Sequence, residues 1–592
     1  MDTGKQQYLP HMTSTIQSLT VSPSGSSYAV QLADNSVMVL STAELEPTAN
    51  ISGIQASVVQ DEESVINSVK RVEDAKWGKL IVQNTPMVIN PSNPSKLILA
   101  VGPVQETRRK DPFIMSTPFL QTFDMGTASS ISRQAIARNN VTNINITPNA
   151  NRLTEPMTVN MKISSSGEWL ATVDEWTPPE RDLDHLTNQS HDVENEKDSR
   201  REVFLKFWQW SGESNTWELI TRIDSPHFAT SDVGKAGRIL DMAVDPVSSR
   251  FATIGEDGVV RTWIQTLRRR DGVEVKGKGG VAFRNWVCEH VISLGRRELS
   301  DEHDDKLKSA SIAFSEDGSL LAAACGFQEG VVHLLDPVVG TIRQSPTGLF
   351  CGDVLGSGFI GQNLVILADS LNVYDLVTGD FKSDIDIVQD LPLDLEQKQQ
   401  MFHLAIDSKS GTYAVAIPRF QYGIDKYAAA STQSMQENFS HTELVIFNQE
   451  KNEPQLVEPF SSIITSLLPS PETEGYVVLD STAEIRVVLR KGTQAVTSLA
   501  QSMSAQQLDL VSDEIPTDIM QIAEEQDLEV MGLPTPSKSQ DDEIDDDGTP
   551  VVSQQQLAQI FDIGPSYALP PLEDMFYQVA GLFSRKTPEQ TV

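Results

Sequence analysis

Three glycines, Gly356, Gly358 and Gly361, have the G-x-G-x-x-G spacing that can cradle the phosphates of a dinucleotide. That chemistry requires a strand before the glycines and a helix after them, because the helix N-terminus binds the phosphate. Here the glycines are followed by Asn363-Leu-Val-Ile-Leu-Ala368, an apolar run typical of a strand. We therefore predict that the motif lies at a hairpin of a β-sheet and that the chain binds no cofactor.

Histidines and cysteines could bind a metal or act in catalysis, but their spacing favours neither role. The nine histidines are scattered, and none belongs to an H-E-x-x-H motif. Cys288, Cys325 and Cys351 include no C-x-x-C pair, which argues against a zinc site or a disulfide framework and fits a reducing compartment. The sequence has neither a nucleophile elbow nor a P-loop. We predict no catalytic residues, no metal site and no enzymatic activity.

Two adjacent carboxylates, Asp174 and Glu175, stand near the end of a predicted strand and invite an acid and base interpretation. Neighbouring residues of a strand point to opposite faces of the sheet, so these two side chains would not reach one substrate. We expect each of them to have a structural or interface role.

Basic residues form three short clusters that could contact the phosphates of RNA. Residues 268–280 have the strongest pattern, because their glycines leave the cations free to follow a phosphate backbone. The alternative is a solvated loop without a ligand, and we find no interleaved aromatic residues that would stack on bases. The predicted RNA contacts are Arg268, Arg269, Arg270, Lys276 and Lys278, and the two other clusters are Arg108–Lys110 and Arg296–Arg297.

The chain is strongly acidic, with a net charge of −36 over 592 residues. This charge argues against wrapping by nucleic acid over the whole surface. Residues 501–550 contain 14 acidic residues against the single Lys538, so the acidity is concentrated in one segment. The first residues have no secretory pattern, and no apolar run is long enough to span a bilayer. We expect neither a membrane nor a small-molecule substrate as a partner.

A pattern of short apolar strands separated by Gly and Asp turns recurs as far as Arg490. The clearest copy runs from Ile239 to Trp263, and an aromatic residue at the end of the third strand is typical of WD repeats. One such unit cannot bury both faces of its sheet, whereas units packed around an axis can. We predict an all-β, WD-repeat-like β-propeller of about seven blades, with eight as the alternative count. A β-sandwich, the other all-β candidate, would show no internal repeat.

Composition divides the chain into three predicted domains. Residues 1–495 form the propeller, with loop insertions at 180–201 (disordered), 268–280 and 431–440. Residues 496–550 form a disordered acidic linker, because Gln, Ser, Asp and Glu dominate there. Residues 551–592 form short amphipathic helices that dock onto a partner or back onto the propeller. The predicted docking residues are Leu557, Ile560, Phe561, Leu572, Met575, Phe576, Val579 and Phe583.

Several segments resemble one family of WD-repeat proteins: residues 8–42, 167–179, 557–561 and 568–583. The family consists of small-subunit processome proteins of the transcription-linked UTP-A subcomplex, known in fungi as the NET-one-associated nuclear protein and in animals as a nucleolar WD-repeat protein. Its members look like tandem propellers, and the resemblance is to the second propeller and the C-terminal tail.

The resemblance implies a non-catalytic scaffold of the nucleus and nucleolus that acts in pre-rRNA processing and small ribosomal subunit biogenesis. The implied partners are other WD-repeat processome subunits, the 5′ external transcribed spacer of pre-rRNA and a small nucleolar RNP. The resemblance also implies support of RNA polymerase I transcription. Two alternatives remain from the fold: an adaptor propeller of a ubiquitin ligase or another non-ribosomal complex, and a propeller enzyme with a polar cleft at its axis.

Overall fold

The computed structural model describes residues 16–32, 35–43, 45–54, 84–101, 119–136, 155–178, 183, 197–229, 232–270, 272–276, 280, 282–295, 307–326, 330–387, 393, 395–424, 435–471, 474–489 and 492–495. The chain divides into two compact units, Met1–Asp513 and Glu514–Val592, and all the described residues lie in the first. The predicted linker, 496–550, and the predicted docking segment, 551–592, lie outside the described residues.

Eight antiparallel sheets of four strands each make up most of the described structure. The strands of the first four sheets, in the order in which they pair, are β1 (Ile16–Val21), β2 (Ser27–Leu32), β3 (Ser36–Ser41) and β4 (Pro47–Ser52); β5 (Met87–Ile89), β6 (Lys96–Val101), β7 (Phe119–Asp124) and β8 (Ser129–Ala135); β9 (Met157–Ile163), β10 (Trp169–Trp176), β11 (Glu202–Ser211) and β12 (Thr216–Asp224); and β15 (Ile239–Val244), β16 (Arg250–Gly255), β17 (Val259–Leu267) and β20 (Arg284–Ser293).

The strands of the last four sheets also pair in chain order. They are β21 (Ala310–Phe314), β22 (Leu321–Cys325), β23 (Val331–Asp336) and β24 (Thr341–Gln344); β25 (Gly356–Ile360), β26 (Asn363–Leu367), β27 (Ser370–Asp375) and β28 (Phe381–Asp386); β29 (His403–Asp407), β30 (Thr412–Ile424), β31 (Met435–Asn448) and β32 (Lys451–Phe460); and β33 (Ile464–Pro469), β34 (Gly475–Asp480), β35 (Ile485–Leu489) and β36 (Gly492–Ala495).

Three smaller elements accompany the eight sheets. Two short hairpins pair β13 (Phe228–Ala229) with β14 (Asp232–Ala236) and β18 (Arg269–Arg270) with β19 (Val273–Glu274). Helix α1 (Leu395–Met401) precedes β29.

Contacts between first strands arrange seven of the sheets in a cycle. Strand β5 contacts β9, β9 contacts β15, and the series continues through β21, β25, β29 and β33, which contacts β5 again. In a β-propeller each sheet is a blade whose faces are covered by its neighbours. The prediction of an all-β, WD-repeat-like propeller is confirmed. We number these blades 1 to 7, from β5–β8 to β33–β36. The sheet β1–β4 lies beside the cycle, where β4 contacts β8 of blade 1.

The core lies between the blades, as strand β22 of blade 4 illustrates. Its side chains alternate between the two faces of the sheet. Leu321, Ala323 and Cys325 pack in an apolar cluster with blade 3, and Ala322 and Ala324 pack in another with blade 5. All five residues are buried. A continuous apolar run in the sequence therefore marks a strand that is covered on both faces.

The described part of the predicted insertion 431–440, residues 435–440, differs from the polar loop that we predicted. Residues 435–440 belong to strand β31, which pairs with β30 from Thr412 opposite Asn448 to Ile424 opposite Met435. The polar composition hid this strand, because a hairpin that extends beyond its blade satisfies its backbone groups without an apolar face.

Candidate nucleic-acid interface

Blade 3 carries a basic extension, residues 268–283, between its third and fourth strands. The pairing of β17 with β20 ends at Leu267 opposite Arg284. Immediately beyond, β18 and β19 form a small hairpin, and Gly272 makes its turn with a φ of 81°. Glycine suits this position because it adopts a positive φ without steric cost.

Three backbone hydrogen bonds join the base of the extension in a closed triangle. The amide of Arg268 donates to the carbonyl of Phe283 at 2.8 Å, the amide of Phe283 to the carbonyl of Val275 at 2.9 Å, and the amide of Val275 to the carbonyl of Arg268 at 2.9 Å. An antiparallel β-bridge between Lys276 and Ala282 makes a second backbone pairing within the extension. Where it is described, the predicted loop therefore contains paired β-structure, because its backbone polar groups pair with one another.

The cations predicted to contact RNA are exposed wherever they are described, namely Arg268, Arg269, Arg270 and Lys276. None of these four forms an ion pair with another described residue. Lys278 lies outside the described residues. Residues 268–284 contain six cations and two anions, in a chain whose net charge is −36. A local excess of positive charge on an acidic protein favours an anionic ligand.

An exposed aromatic side chain, Phe283, lies at the base of the basic extension with 47% of its surface accessible. We found no aromatic residue interleaved with these cations, because Phe283 follows the glycine-rich run in the sequence. Pairing of the two ends of the insertion brings it beside Arg268. The sequence could have revealed this pairing. Arg268 comes directly after one strand that flanks the insertion, and Phe283 comes directly before the other.

The glycine motif lies at a hairpin, as predicted from the sequence. Strand β25 contains Gly356 and Gly358, and the turn at Gly361 leads into β26, which is a strand. A Cβ atom on Gly358 would lie only 2.4 Å from Cδ1 of Ile406 in blade 6. The motif therefore allows two blades to pack closely.

Asp174 and Glu175 have separate partners, in agreement with their predicted opposite directions. Asp174 is buried, and its Oδ2 lies 2.6 Å from Nζ of Lys206. The Oε1 atom of Glu175 lies 2.8 Å from Nε of Arg201 and 3.0 Å from Nε of Arg238. The two carboxylates belong to different ion pairs within the propeller.

The end of the insertion 180–201 is held between blades 2 and 3. Arg201 has a side chain that is 2% exposed and pairs with Glu175, Asp198 and Glu256. Leu183, near the other end, is also buried. We predicted a disordered loop here, and most of the segment lies outside the described residues. The sequence did not predict the burial of Arg201, because a charged residue at the end of a polar run is usually exposed to solvent.

A chain of hydrogen bonds connects four side chains within blade 3. Nε1 of Trp263 donates to Oγ1 of Thr253 at 3.0 Å, that hydroxyl lies 2.8 Å from Nε2 of His227, and Nδ1 of His227 lies 2.9 Å from Oδ1 of Asp257. Burial lowers the pKa of His227, so its ring is neutral and offers one donor and one acceptor. Burial alone would raise the pKa of Asp257, but hydrogen bonds from His227 and Arg261 hold it below its ordinary value.

The sequence singled out Trp263 as the aromatic residue of its repeat, but it did not reveal that His227 bonds the same Thr253 hydroxyl. The histidine precedes the first strand of the blade and reaches Thr253 only after folding. The signal that could have found it is its place in a turn ahead of the repeat that ends at Trp263.

The other predicted residues lie outside the described residues. They are Arg108–Lys110, Arg296–Arg297, and the docking residues Leu557, Ile560, Phe561, Leu572, Met575, Phe576, Val579 and Phe583. Within the described part of the chain, no group of three or more His, Cys, Asp or Glu residues could hold a metal ion. No helix found there is long and apolar enough to cross a membrane.

The middle of the chain matches a family of WD-repeat propellers. Residues 149–345 match the family model described as WD repeat-containing protein 75 second beta-propeller. U3 small nucleolar RNA-associated protein 17 of Schizosaccharomyces pombe is 26% identical over 266 residues, or 44% of this chain and 29% of the relative. WD repeat-containing protein 75 of Xenopus laevis is 20% identical over 326 residues, or 54% of this chain and 29% of the relative.

The alignments thus span 29% of each relative's own length. One chain of the crystal structure of the mitotic checkpoint complex covers 70% of this chain and 85% of itself at 10% identity, with a TM-score of 0.36 that is too low to inform function. The resemblance that the sequence suggested, to a WD-repeat propeller of this kind, is confirmed.

Proposed function

We propose that this WD-repeat chain is a non-catalytic scaffold subunit of the small-subunit processome, acting in the nucleolus in pre-rRNA processing and small ribosomal subunit biogenesis. The observation that carries the proposal is the match of residues 149–345 to the second propeller of WD repeat-containing protein 75. One relative is named for its association with U3 small nucleolar RNA. A closed cycle of blades suits a scaffold, because it presents rigid surfaces and protects the edges of its sheets.

The proposed contacts divide between two parts of the chain. The basic extension contacts phosphates of the 5′ external transcribed spacer through Arg268–Arg270, Lys276 and Lys278. The apolar residues of segment 551–592 dock onto other WD-repeat subunits across the linker 496–550. Phosphate contacts position a protein but do not read sequence. Specificity for this RNA would therefore come from subunits and a small nucleolar RNP bound at the same time, and the same assembly would support RNA polymerase I transcription.

The test is an affinity purification of the tagged full chain from cell extract, followed by sequencing of the bound RNA and identification of the bound proteins. We expect enrichment of 5′ external transcribed spacer RNA together with other propeller subunits. Recovery of ubiquitin ligase subunits without pre-rRNA would overturn the proposal in favour of an adaptor propeller.

A further inference from the structure

Arg268 and Phe283 are paired through their backbones at the base of the basic extension, where the amide of Arg268 donates to the carbonyl of Phe283 at 2.8 Å. The register of β17 and β20 ends with Leu267 opposite Arg284, and Arg268 and Phe283 come immediately beyond it. A cationic residue and an aromatic residue are therefore neighbours across the paired backbone at the base of the basic extension.

The ring of Phe283 is available to a ligand. It is 47% exposed and makes no ring contact with another described aromatic or cationic side chain. Arg284, which follows it, donates to Oε1 of Gln265 at 3.1 Å. The cationic residue whose backbone pairs with Phe283 is Arg268, which has no ion pair among the described residues.

The triangle of backbone hydrogen bonds fixes the positions of Arg268 and Phe283 before any ligand binds. Both residues donate and accept within it, at 2.8 to 2.9 Å. A ligand would therefore bind without ordering this part of the backbone. Such ordering is a large part of the free-energy cost of binding to a flexible loop.

We propose that the basic extension binds unpaired RNA, with one base stacked on Phe283 and the flanking phosphates paired with Arg268, Arg269 and Arg270. This inference rests on the proposed function and specifies the form of RNA that the extension takes. Every base has a π-face that can stack on an aromatic ring, whatever its sequence. In duplex RNA the bases are stacked on each other, and the major groove is too deep and narrow for side chains to reach them.

The test compares two labelled RNAs of about 16 nucleotides, one single-stranded and one duplex, by fluorescence anisotropy with the full chain. Phe283→Leu keeps an apolar side chain but removes the aromatic face, and Phe283→Trp retains it. Phe381→Leu is the matched control, because Phe381 is 50% exposed but belongs to blade 5. A single-stranded probe containing 2-aminopurine reports stacking directly through quenching of its fluorescence.

We expect Phe283→Leu to weaken binding of the single strand about fivefold or more. Phe283→Trp and Phe381→Leu should leave this affinity close to that of the unaltered chain, and the 2-aminopurine quenching should disappear only in Phe283→Leu. Binding to the duplex should not respond to either change at Phe283.

The outcomes separate this inference from the proposed function. If the triple variant Arg268→Glu, Arg269→Glu, Arg270→Glu loses RNA but Phe283→Leu retains it, the stacking inference is overturned and the RNA contact stands. Equal weakening of single-strand and duplex binding by Phe283→Leu would also overturn it. If the unaltered chain binds neither RNA, or the triple variant binds as well as the unaltered chain, the proposed RNA contact fails as well.

Discussion

The indole Nε1–H of Trp263 donates a hydrogen bond of 3.0 Å to the hydroxyl of Thr253, and that hydroxyl lies 2.8 Å from Nε2 of His227. The three side chains come from the third strand of blade 3, its second strand and the segment before its first strand. All three are buried. One hydroxyl thus joins two buried nitrogens, and its loss would leave both without a partner.

Thr253→Val, which keeps the shape of the side chain, is expected to lower the free energy of unfolding by about 2–4 kcal/mol, because each unpaired buried group costs roughly 1–3 kcal/mol. Denaturant unfolding measures this difference. Thr341→Val, at an exposed position of blade 4, should change stability by less than about 0.5 kcal/mol. A similarly small effect at Thr253 would show that the hydrogen-bond chain does not stabilise the blade.

His227 should make the protein sensitive to acid. Its pKa is lowered by burial from the ordinary value of 6.5, so below that pH the unfolded chain binds a proton that the folded chain excludes. This contribution to stability is fully present above pH 6.5 and is lost as the pH falls towards the lower pKa of the folded state. His227→Gln should reduce the slope of stability against pH in this window, whereas His441→Gln, at a partly exposed site, should keep it. An unchanged slope in His227→Gln would refute the prediction.

The buried pair of Asp174 and Lys206 should respond differently to single and double substitution. Lys206 also donates to the carbonyl of Ile136 at 2.9 Å, which does not neutralise its charge. Asp174→Asn should therefore cost about 3–5 kcal/mol, because it leaves a buried ammonium unpaired. The double variant Asp174→Leu, Lys206→Met should recover most of this loss in a denaturant titration. Additive losses would show that the two side chains are not coupled.

The three cysteines should differ in reactivity. Burial raises the pKa of Cys325 to about 12, and its side chain packs between blades 3 and 4. Cys288 and Cys351 are exposed. A thiol reagent at neutral pH should therefore label two cysteines in the folded chain and all three after unfolding, because only an accessible thiolate reacts. Cys325→Ala should leave the folded count at two, and rapid labelling of three sites in the native chain would contradict the packing.

The sequence predicted the blades because their strands and turns are local patterns. Period-two alternation, continuous apolar strands such as Leu321–Cys325, and turns such as Asp257-Gly258 repeat along the chain. The pairing of Phe283 with Arg268 was not predictable in this way. It depends on the two ends of a 16-residue insertion meeting, and the glycines and lysines between them gave the pattern of a loop.

His227 and Arg201 were missed for a related reason. Each stands in a polar segment between strands, where composition predicts exposure. Tertiary contacts bury both side chains, His227 against Thr253 and Arg201 against Glu175 and Glu256. Such contacts join neighbouring strands or blades, and the repeat pattern does not specify which polar residues make them.

Crosslinking of the full chain to RNA in cells, followed by sequencing, tests directly whether the basic extension contacts pre-rRNA. The comparison is between the unaltered chain and the variant Arg268→Glu, Arg269→Glu, Arg270→Glu. A second variant, with Arg343, Lys409 and Arg419 changed to Glu, makes the same charge change at exposed positions of other blades. We predict crosslinks within the 5′ external transcribed spacer that are lost only in the first variant. Equal crosslinking by all three proteins, or no crosslinking to pre-rRNA by the unaltered chain, would contradict a contact between the basic extension and this RNA.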